Sequence, residues 1–323
     1  MRSTDVFRNH GEAKRSGLLT GIANWGPLLL PPLLWAGNFV IGRYIRHDIP
    51  PMTLAFTRHL IAFLCLLPFC YRPMRQYFAQ YRALRWHLIG TALTGLAGFN
   101  LCVYVGLQST VASNGLLLNS TIPVLIVILA TMLYGHKLRI NQAAGLIISC
   151  VGVLTIILHG DFSRLIALQF SHGDLIVFLG MICFTFYTLW LRYIPAEVNR
   201  LGLFGFQLLI AAIFLAPFFA WEYASGLRVI WTTGSVSAML YVAIAASLAA
   251  TFLYMTGVAR IGSARAGIYI HLIPLYGVLL STVFLGETIH YYHAAGLAAI
   301  LTGLTAYNWD QISASLIKRA NPV

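Results

Sequence analysis

The residues of this 323-residue sequence that could do chemistry are single polar side chains set in long apolar stretches. The sequence contains no GxxxxGK[ST] phosphate loop, no HExxH zinc motif and no GxSxG nucleophile turn. These motifs bind the phosphates of ATP, hold a catalytic zinc ion and present a serine nucleophile, respectively. The five cysteines show no CxxC or Cys/His spacing typical of a metal site. We therefore expect no enzyme activity, no metal and no cofactor.

Arg58 is the most informative of these polar side chains. It lies about two turns into an apolar segment that begins at Pro51, and no acidic residue lies at a comparable depth. A cation buried in a membrane is costly unless it pairs or reaches the headgroups. We predict that Arg58 binds the carboxylate of a solute. The alternative is that it reaches the headgroups or caps carbonyl oxygens of a neighbouring helix.

Neutral amides, aromatic rings and one histidine complete the candidate site. Amides and aromatic rings suit a zwitterionic or amphipathic solute such as an amino acid, although such residues also serve ordinary helix packing in membranes. The histidine could titrate near neutral pH and couple to protons, or it could stay neutral and hydrogen-bonded. Beside Arg58, the candidates are Asn38, Asn100, Asn119, Tyr187, Trp190, Gln207, Tyr254 and His271.

Long apolar helices must position these residues. Hydrophobic residues make up 59% of the chain and charged residues only 9%, whereas a typical globular domain carries roughly 25% charged residues. A helix needs about 20 apolar residues to cross a hydrocarbon core. The sequence therefore predicts an all-α integral membrane protein with ten transmembrane helices. They lie at about 24–43, 52–71, 87–108, 113–134, 141–158, 174–192, 202–221, 236–257, 266–285 and 291–309.

An internal duplication relates the two halves of the chain. The two stretches compared hold six and eight Gly or Pro residues in 47 positions, and five of them coincide at a constant offset of 151 residues. Chance alone predicts about one coincidence, so the repeat is real. The matched pairs are Gly106 with Gly257, Pro123 with Pro274, Gly135 with Gly286, Gly145 with Gly296, and Gly152 with Gly303.

The odd number of helices in each half requires an inverted arrangement, because the second half must enter the membrane from the opposite side. We predict five-helix repeats over 24–158 and 174–309, joined by a linker at 159–173, with the solute site near the bilayer midplane between them.

The distribution of basic residues predicts the orientation in the membrane. The segments that this topology places inside carry sixteen Arg and Lys residues, against four outside. The N-terminal segment 1–23 and the C-terminal tail 310–323 are therefore predicted to be cytoplasmic. The formal charge of +12 then reflects topology and lipid headgroups, not nucleic acid.

Two repeat-matched features predict motion and packing. Pro123 and Pro274 are expected to kink their helices and to act as flexing points for gating. Gly145 and Gly152 share a face of the fifth helix, and their copies recur in the tenth. Small residues on one face let membrane helices approach closely. We therefore predict a packing seam there, away from the solute.

Several short motifs follow one another along the chain. They are Trp35 to Phe39, Pro51 to Arg58, Gly173 to Leu175, the helix around Pro274, Gly286-Glu287 and Gly296 to Gly303. Taken in this order, they resemble the EamA family of the drug/metabolite transporter superfamily. The resemblance covers about 25–309 and implies ten helices in two inverted repeats around a central cavity, with alternating-access transport of small metabolites, frequently amino-acid export. His136 stands where the family often has an acidic residue, so the first copy has drifted.

We accordingly predict a secondary transporter that exports a small organic metabolite such as an amino acid, with membrane lipids and a coupling proton as further partners. Arg58 is the sole deep cation, which disfavours a phosphorylated solute. Arg outnumbers Lys by 18 to three, which is typical of a GC-rich bacterial genome and points to a bacterial inner membrane. The alternatives are transport of another metabolite or drug-like solute, a membrane-embedded enzyme, and a scaffold without flux.

Overall fold

Long apolar helices dominate the fold. The computed structural model describes residues 26, 28–38, 40–42, 45, 47–110, 112–135, 137–165, 171–285, 288–310 and 313. Every regular element within these ranges is helical. Eight of the helices found there are long and apolar enough to cross a membrane. The all-α prediction is therefore confirmed for the described part of the chain.

The helices follow the predicted segments in order. A shorter apolar helix, α1 (Leu28–Gly42), occupies the first segment, and a 17-residue helix, α10 (Tyr291–Tyr307), occupies the last. Among the described residues, spanning length is thus found for eight of the ten predicted segments. The eight are α2 (Pro51–Gln76), α3 (Arg85–Gly106), α4 (Asn114–Tyr134), α5 (Ile140–Ile157), α6 (His172–Tyr193), α7 (Arg200–Ala224), α8 (Thr233–Ile261) and α9 (Ser263–Leu280).

Some predictions concern residues outside the described ranges. The Gly286-Glu287 motif, His136 and the N-terminal segment 1–23 lie there, together with parts of the 159–173 linker and of the 310–323 tail. A short helix that was not predicted, Phe78–Ala83, connects α2 to α3.

Helices α3 and α8 each contain a π-helical stretch, and the two stretches occupy equivalent positions of the repeat. They cover Ala92–Gly98 and Val242–Ala250, and the offset of 151 residues places the first on 243–249. In the second, the Ala246 carbonyl accepts a hydrogen bond from Trp35 Nε1 of α1 at 3.1 Å. Wide turns of this kind are rare and often occur at functional sites.

The predicted glycine seam joins α5 to α10. A Cβ on Gly152 would lie 2.7 Å from the carbonyl oxygen of Gly296, and one on Gly145 would lie 2.6 Å from that of Gly303. The offset of 151 residues relates Gly152 to Gly303 and Gly145 to Gly296, so the two contacts are equivalent under the repeat. Because the order of the contacts reverses along the two helices, α5 and α10 run antiparallel. An inversion of the second repeat requires this arrangement for equivalent helices.

The second helices of the two halves, α2 and α7, are also antiparallel neighbours. Toward one end the rings of Phe56 and Phe219 stack with their centroids 4.8 Å apart. Toward the other end a Cβ on Gly205 would lie 2.7 Å from Cys70 Sγ. Two pairs of repeat-equivalent helices therefore form contacts between the halves.

Glu222 of α7 caps the first turn of α2. Its Oε1 accepts a hydrogen bond from Met52 N at 3.1 Å, and its Oε2 accepts from Thr53 N at 2.6 Å and Thr53 Oγ1 at 2.7 Å. The first N–H groups of a helix lack intrahelical partners, and Pro50, which precedes this helix, provides no side-chain cap. Glu222 is only 2% exposed, so these three donors satisfy its oxygens in a buried place.

Candidate functional site

A small cavity lies between the two halves of the bundle. Its volume is about 30 Å³, which is room for one or two water molecules. Helices of both halves line it, and several lining positions are repeat equivalents. The equivalent pairs, each 151 residues apart, are Asn100 with Thr251, Asn119 with Ile270, and Ile122 with Ile273. A site shared by two repeats is expected at such a position.

Arg58 is buried against this cavity, with 3% of its surface exposed. Its Nε donates to Ser247 Oγ at 2.6 Å, and its Nη1 donates to Asn100 Oδ1 at 2.7 Å and to the Tyr104 hydroxyl. All of these partners are neutral, and no ion pair within the described residues involves Arg58. Its Nη2 has no hydrogen-bond partner among them. The neutral partners therefore orient the guanidinium without compensating its charge, which leaves it able to bind an anionic group.

The partners of Arg58 are themselves anchored to the π-helical stretches. Asn100 Nδ2 donates to the Leu96 carbonyl at 2.7 Å, and Ser247 Oγ donates to the Val242 carbonyl at 2.8 Å. Both carbonyls belong to the π-helical stretches. The irregular backbone thus determines where the groups that hold Arg58 lie.

Two further amides lie on the cavity wall. Asn119 is 3% exposed and lines the cavity, and its side chain makes no hydrogen bond to a described residue. Asn38 also lines the cavity, and its Oδ1 accepts one hydrogen bond from the Tyr104 hydroxyl at 3.3 Å. Because buried amides normally have partners, Asn119 offers both a donor and an acceptor to a solute.

The two halves contribute different chemistry to the cavity. The first half provides Arg58 and the three amides, whereas Thr251 is the only polar residue among the described lining residues of the second half. The rest of that wall is Phe184, Ile270 and Ile273. A solute with an anionic end and an apolar body would match both walls.

Five predicted site residues do not line the cavity. They are Tyr187, Trp190, Gln207, Tyr254 and His271. The rings of Tyr187 and Trp190 pack on glycines of α3. A Cβ on Gly95 would lie 2.2 Å from the Tyr187 ring, and one on Gly90 would lie 2.3 Å from the Trp190 ring. Both aromatic residues therefore fill the contact between α6 and α3.

Gln207 and Tyr254 take part in contacts behind the cavity wall. Gln207 Nε2 donates to Thr91 Oγ1 at 2.7 Å. The hydroxyls of Tyr254 and Thr188 lie 3.2 Å apart, and the Tyr254 ring lies 5.3 Å from that of Trp35, which does line the cavity. Both residues thus support neighbouring helices in this conformation.

His271 joins α9 to α5 and to the turn within α4. Its Nδ1 lies 2.7 Å from Ser149 Oγ, and its Nε2 lies 3.1 Å from the Ser120 carbonyl. Because a carbonyl can only accept, Nε2 carries a proton, and in a neutral ring Nδ1 then accepts from the Ser149 hydroxyl. The ring is fully buried, at 0% exposure. These bonds fit a neutral imidazole.

The two repeat-matched prolines lie beside irregular backbone. Pro123 follows a turn within α4 and is the second residue of the regular helix Ile122–Tyr134. Pro274 follows a 3₁₀ turn, Tyr269–His271, within α9. Their part in gating stays a prediction.

Two residues that bind Arg58, Tyr104 and Ser247, were not among the sequence candidates. Tyr104 lies four residues after Asn100 and therefore on the same helix face, so this spacing was a usable signal. Ser247 is brought to Arg58 by a π-helical stretch, and no sequence pattern pointed to it.

Comparison with known proteins identifies the class of this chain. The model of the EamA-like transporter family matches residues 27–158 and 171–309, which is more than half of the sequence. The chain belongs to the EamA-like transporter family. The two matched stretches overlap the predicted repeats, 24–158 and 174–309. This EamA-like protein is therefore an integral membrane transporter and not an enzyme, as the sequence predicted.

Relatives of this EamA-like transporter carry the same general description. The uncharacterized transporter YetK of Bacillus subtilis is 26% identical over 267 residues, which cover 83% of this chain and 81% of YetK. An uncharacterized transporter of Archaeoglobus fulgidus is 24% identical over 280 residues, covering 86% of this chain and 94% of the relative. A solved protein crystal structure matches with a TM-score of 0.70 at 18% identity, over 89% of this chain and 98% of that one. The last likeness concerns the fold alone.

Proposed function

We propose that this EamA-like protein is a secondary transporter that exports a small organic carboxylate, such as an amino acid. The observation that carries this proposal is Arg58, which is 3% exposed at the cavity and has only neutral partners among the described residues. A buried, uncompensated guanidinium favours an anionic group. The free amide of Asn119 would bind a second polar group of the solute. The apolar wall formed by Phe184, Ile270 and Ile273 would hold its body.

We further propose that transport proceeds by alternating access, through rocking of the two repeats. A cavity of about 30 Å³ is too small for an amino acid, so the helices around it must separate for the solute to enter. The irregular turns beside Pro123 and Pro274 are the proposed flexing points. The close α5–α10 contact would stay fixed while they bend.

The proposed setting is a bacterial inner membrane, spanned ten times, with both termini in the cytoplasm. The excess of Arg and Lys in the segments placed inside supports this topology. Helices α1 and α10 would then supply the first and last spans. Membrane lipids surround the protein in this proposal, and a proton is the proposed coupling ion.

A second candidate solute is a drug-like molecule without a carboxylate. The apolar wall of the second half favours it, because Phe184, Ile270 and Ile273 need no charge on their ligand. The two candidates differ in whether Arg58 contacts the solute.

Counterflow in proteoliposomes tests the proposal. A panel of labelled amino acids is competed with the same compounds as free acids and as carboxamides. We expect the acids to compete and the carboxamides to bind at least tenfold more weakly. The reason is that one hydrogen bond to a charged group contributes about 1.5–3 kcal/mol, which corresponds to a factor of ten or more in affinity. Equal competition by acids and carboxamides would show that binding does not depend on a carboxylate. Absence of saturable flux for the whole panel, with folded protein, would remove amino acids as well.

Arg58→Gln is expected to lower the transport of the acids by more than tenfold, and Arg58→Lys is expected to restore part of it. The matched control is Arg75→Gln, because Arg75 lies on the same helix but is exposed. Elution as a single species in size-exclusion chromatography shows that each variant is folded. Equal transport by Arg58→Gln and Arg75→Gln would favour the solute without a carboxylate.

A further inference from the structure

Three buried polar atoms near the junction of α6 and α7 have no hydrogen-bond partner among the described residues. They are the Tyr187 hydroxyl oxygen, Gln207 Oε1 and Arg200 Nη1. Tyr187 and Gln207 are both 0% exposed. Buried polar atoms are nearly always paired in folded proteins, and an exception can mark the place of a ligand or an ordered water.

Contacts with α3 bring two of these groups to one region. Gln207 Nε2 donates to Thr91 Oγ1 at 2.7 Å, and the Tyr187 ring lies against Gly95. Thr91 and Gly95 are four residues apart, so they occupy neighbouring turns on one helix face. The unpaired atoms of Gln207 and Tyr187 therefore belong to side chains that contact neighbouring turns of α3.

Arg200 provides the charge in this region. Its Nη2 donates to the carbonyls of Ile194 at 2.9 Å and Pro195 at 3.0 Å, which fixes the guanidinium beside the end of α6. The guanidinium lies within electrostatic range of the Tyr187 side chain and of Glu197, which is exposed. Because Nη2 is occupied and Nη1 is buried without a partner, the guanidinium retains an N–H edge for a ligand.

Gly95 connects this region to the cavity. It lines the cavity, and a Cβ at this position would overlap the Tyr187 ring at 2.2 Å. The ring of Tyr187 thus packs directly behind a residue of the cavity wall. In the proposed topology, this region lies on the cytoplasmic side, where α6 ends and α7 begins.

We propose that Tyr187, Gln207 and Arg200 form a second, cytoplasmic binding site for the carboxylate of the solute. The site rests on the proposed transport of a carboxylate. Arg200 Nη1 and the Tyr187 hydroxyl donate to the carboxylate, and Gln207 Oε1 accepts from a neighbouring N–H or O–H group of the same solute. Movement of the Tyr187 ring away from Gly95 then passes the carboxylate to Arg58. The solute meets two guanidinium groups in succession on its way out.

Tyr187→Phe tests this site with little disturbance, because it removes one unpartnered oxygen. The matched control is Tyr307→Phe, since the Tyr307 hydroxyl is also buried and unpartnered but lies on α10. Loss of an unpaired polar atom should leave the thermal stability of both variants unchanged or raised. Their transport should differ.

Transport of labelled leucine, or of the panel amino acid with the largest counterflow, is measured in everted and right-side-out membrane vesicles. We expect Tyr187→Phe to raise KM about fivefold from the cytoplasmic face, the equivalent of one hydrogen bond, with no change from the outer face. Gln207→Met, which is similar in size, should do the same. Tyr307→Phe should match the wild type from both faces.

Two results would overturn the second site. If Tyr187→Phe and Gln207→Met match Tyr307→Phe from both faces while Arg58→Gln loses transport, the polar atoms bind ordered water only, and the proposed transport stands. If the wild type moves no amino acid in either kind of vesicle, the proposed function fails and the second site fails with it.

Discussion

The carboxylate of Glu222 lies 2.6 Å from the backbone nitrogen of Thr53, so a side chain of the second half caps a helix of the first. The same carboxylate accepts a hydrogen bond from the Thr53 hydroxyl at 2.7 Å. This contact joins residues 169 positions apart in the chain. It also explains how a helix that begins at Pro51, without a cap of its own, can start inside the protein.

Replacing Glu222 should therefore destabilise the contact between the halves. We expect Glu222→Ala to lower the free energy of unfolding by about 2 kcal/mol or more, because the first N–H groups of α2 lose a charged acceptor in a buried place. Glu222→Gln should cost less, since its amide oxygen still accepts. Thermal unfolding in detergent measures both. Glu197 is exposed, so Glu197→Ala is the control, and equal melting temperatures for Glu197→Ala and Glu222→Ala would rule out the capping role.

The glycine seam makes a second prediction. A Cβ on Gly152 would meet backbone atoms of α10, with Gly296 O at 2.7 Å and Ile300 N at 2.8 Å. Backbone cannot move aside as a flexible side chain can, so Gly152→Ala should destabilise the protein by about 1–3 kcal/mol or prevent its folding. Gly277 also lies in a helix, but nothing lies within 4 Å of a Cβ there. Gly277→Ala should thus be neutral or stabilising by up to about 1 kcal/mol, and the yield of monodisperse protein compares the two.

His271 allows a test of the proposed proton coupling. Its ring accepts a hydrogen bond from the Ser149 hydroxyl and donates one to the Ser120 carbonyl. A glutamine can both accept and donate, so we expect His271→Gln to fold and to keep the wild-type response of transport to a pH step. His271→Leu should be less stable by about 1–3 kcal/mol, because it leaves buried groups of Ser149 and Ser120 unpaired. A pH response abolished in folded His271→Gln would instead assign the coupling proton to this residue.

Asn119 and Asn114 offer a matched pair on one helix. Asn119 is buried at the cavity without a described partner, whereas Asn114 Nδ2 donates to Asp174 Oδ2 at 3.3 Å. Asn119→Leu should keep its stability but change KM in the counterflow assay, since its amide is free for the solute. Asn114→Leu should lose about 1–3 kcal/mol of stability, because Asp174 loses a buried donor. If Asn119→Leu keeps the wild-type KM for every amino acid transported, the residue has no part in binding.

Several residues that line the cavity could be predicted from the sequence, because an isolated polar residue in an apolar segment is visible without any tertiary information. Arg58, Asn38, Asn100 and Asn119 were found in this way, and all line the cavity. The same signal also selected Gln207 and His271, which lie behind the cavity wall. Isolation in the sequence shows only that a polar group needs a partner, and it does not show whether that partner is a solute or another helix.

The sequence by itself determined the membrane character, the order of the helices and the duplication of the halves. These properties depend on apolar length and on regular spacing, as in the glycines that let α5 and α10 approach closely. Only the tertiary structure decided that Ser247 holds Arg58 and that Glu222 caps α2, pairs separated by 189 and 169 residues. Such contacts depend on how distant helices meet and on where π-helical stretches turn a side chain. The physical reason is that local periodicity specifies which face of a helix is buried, whereas the packing of distant helices specifies what that face contacts.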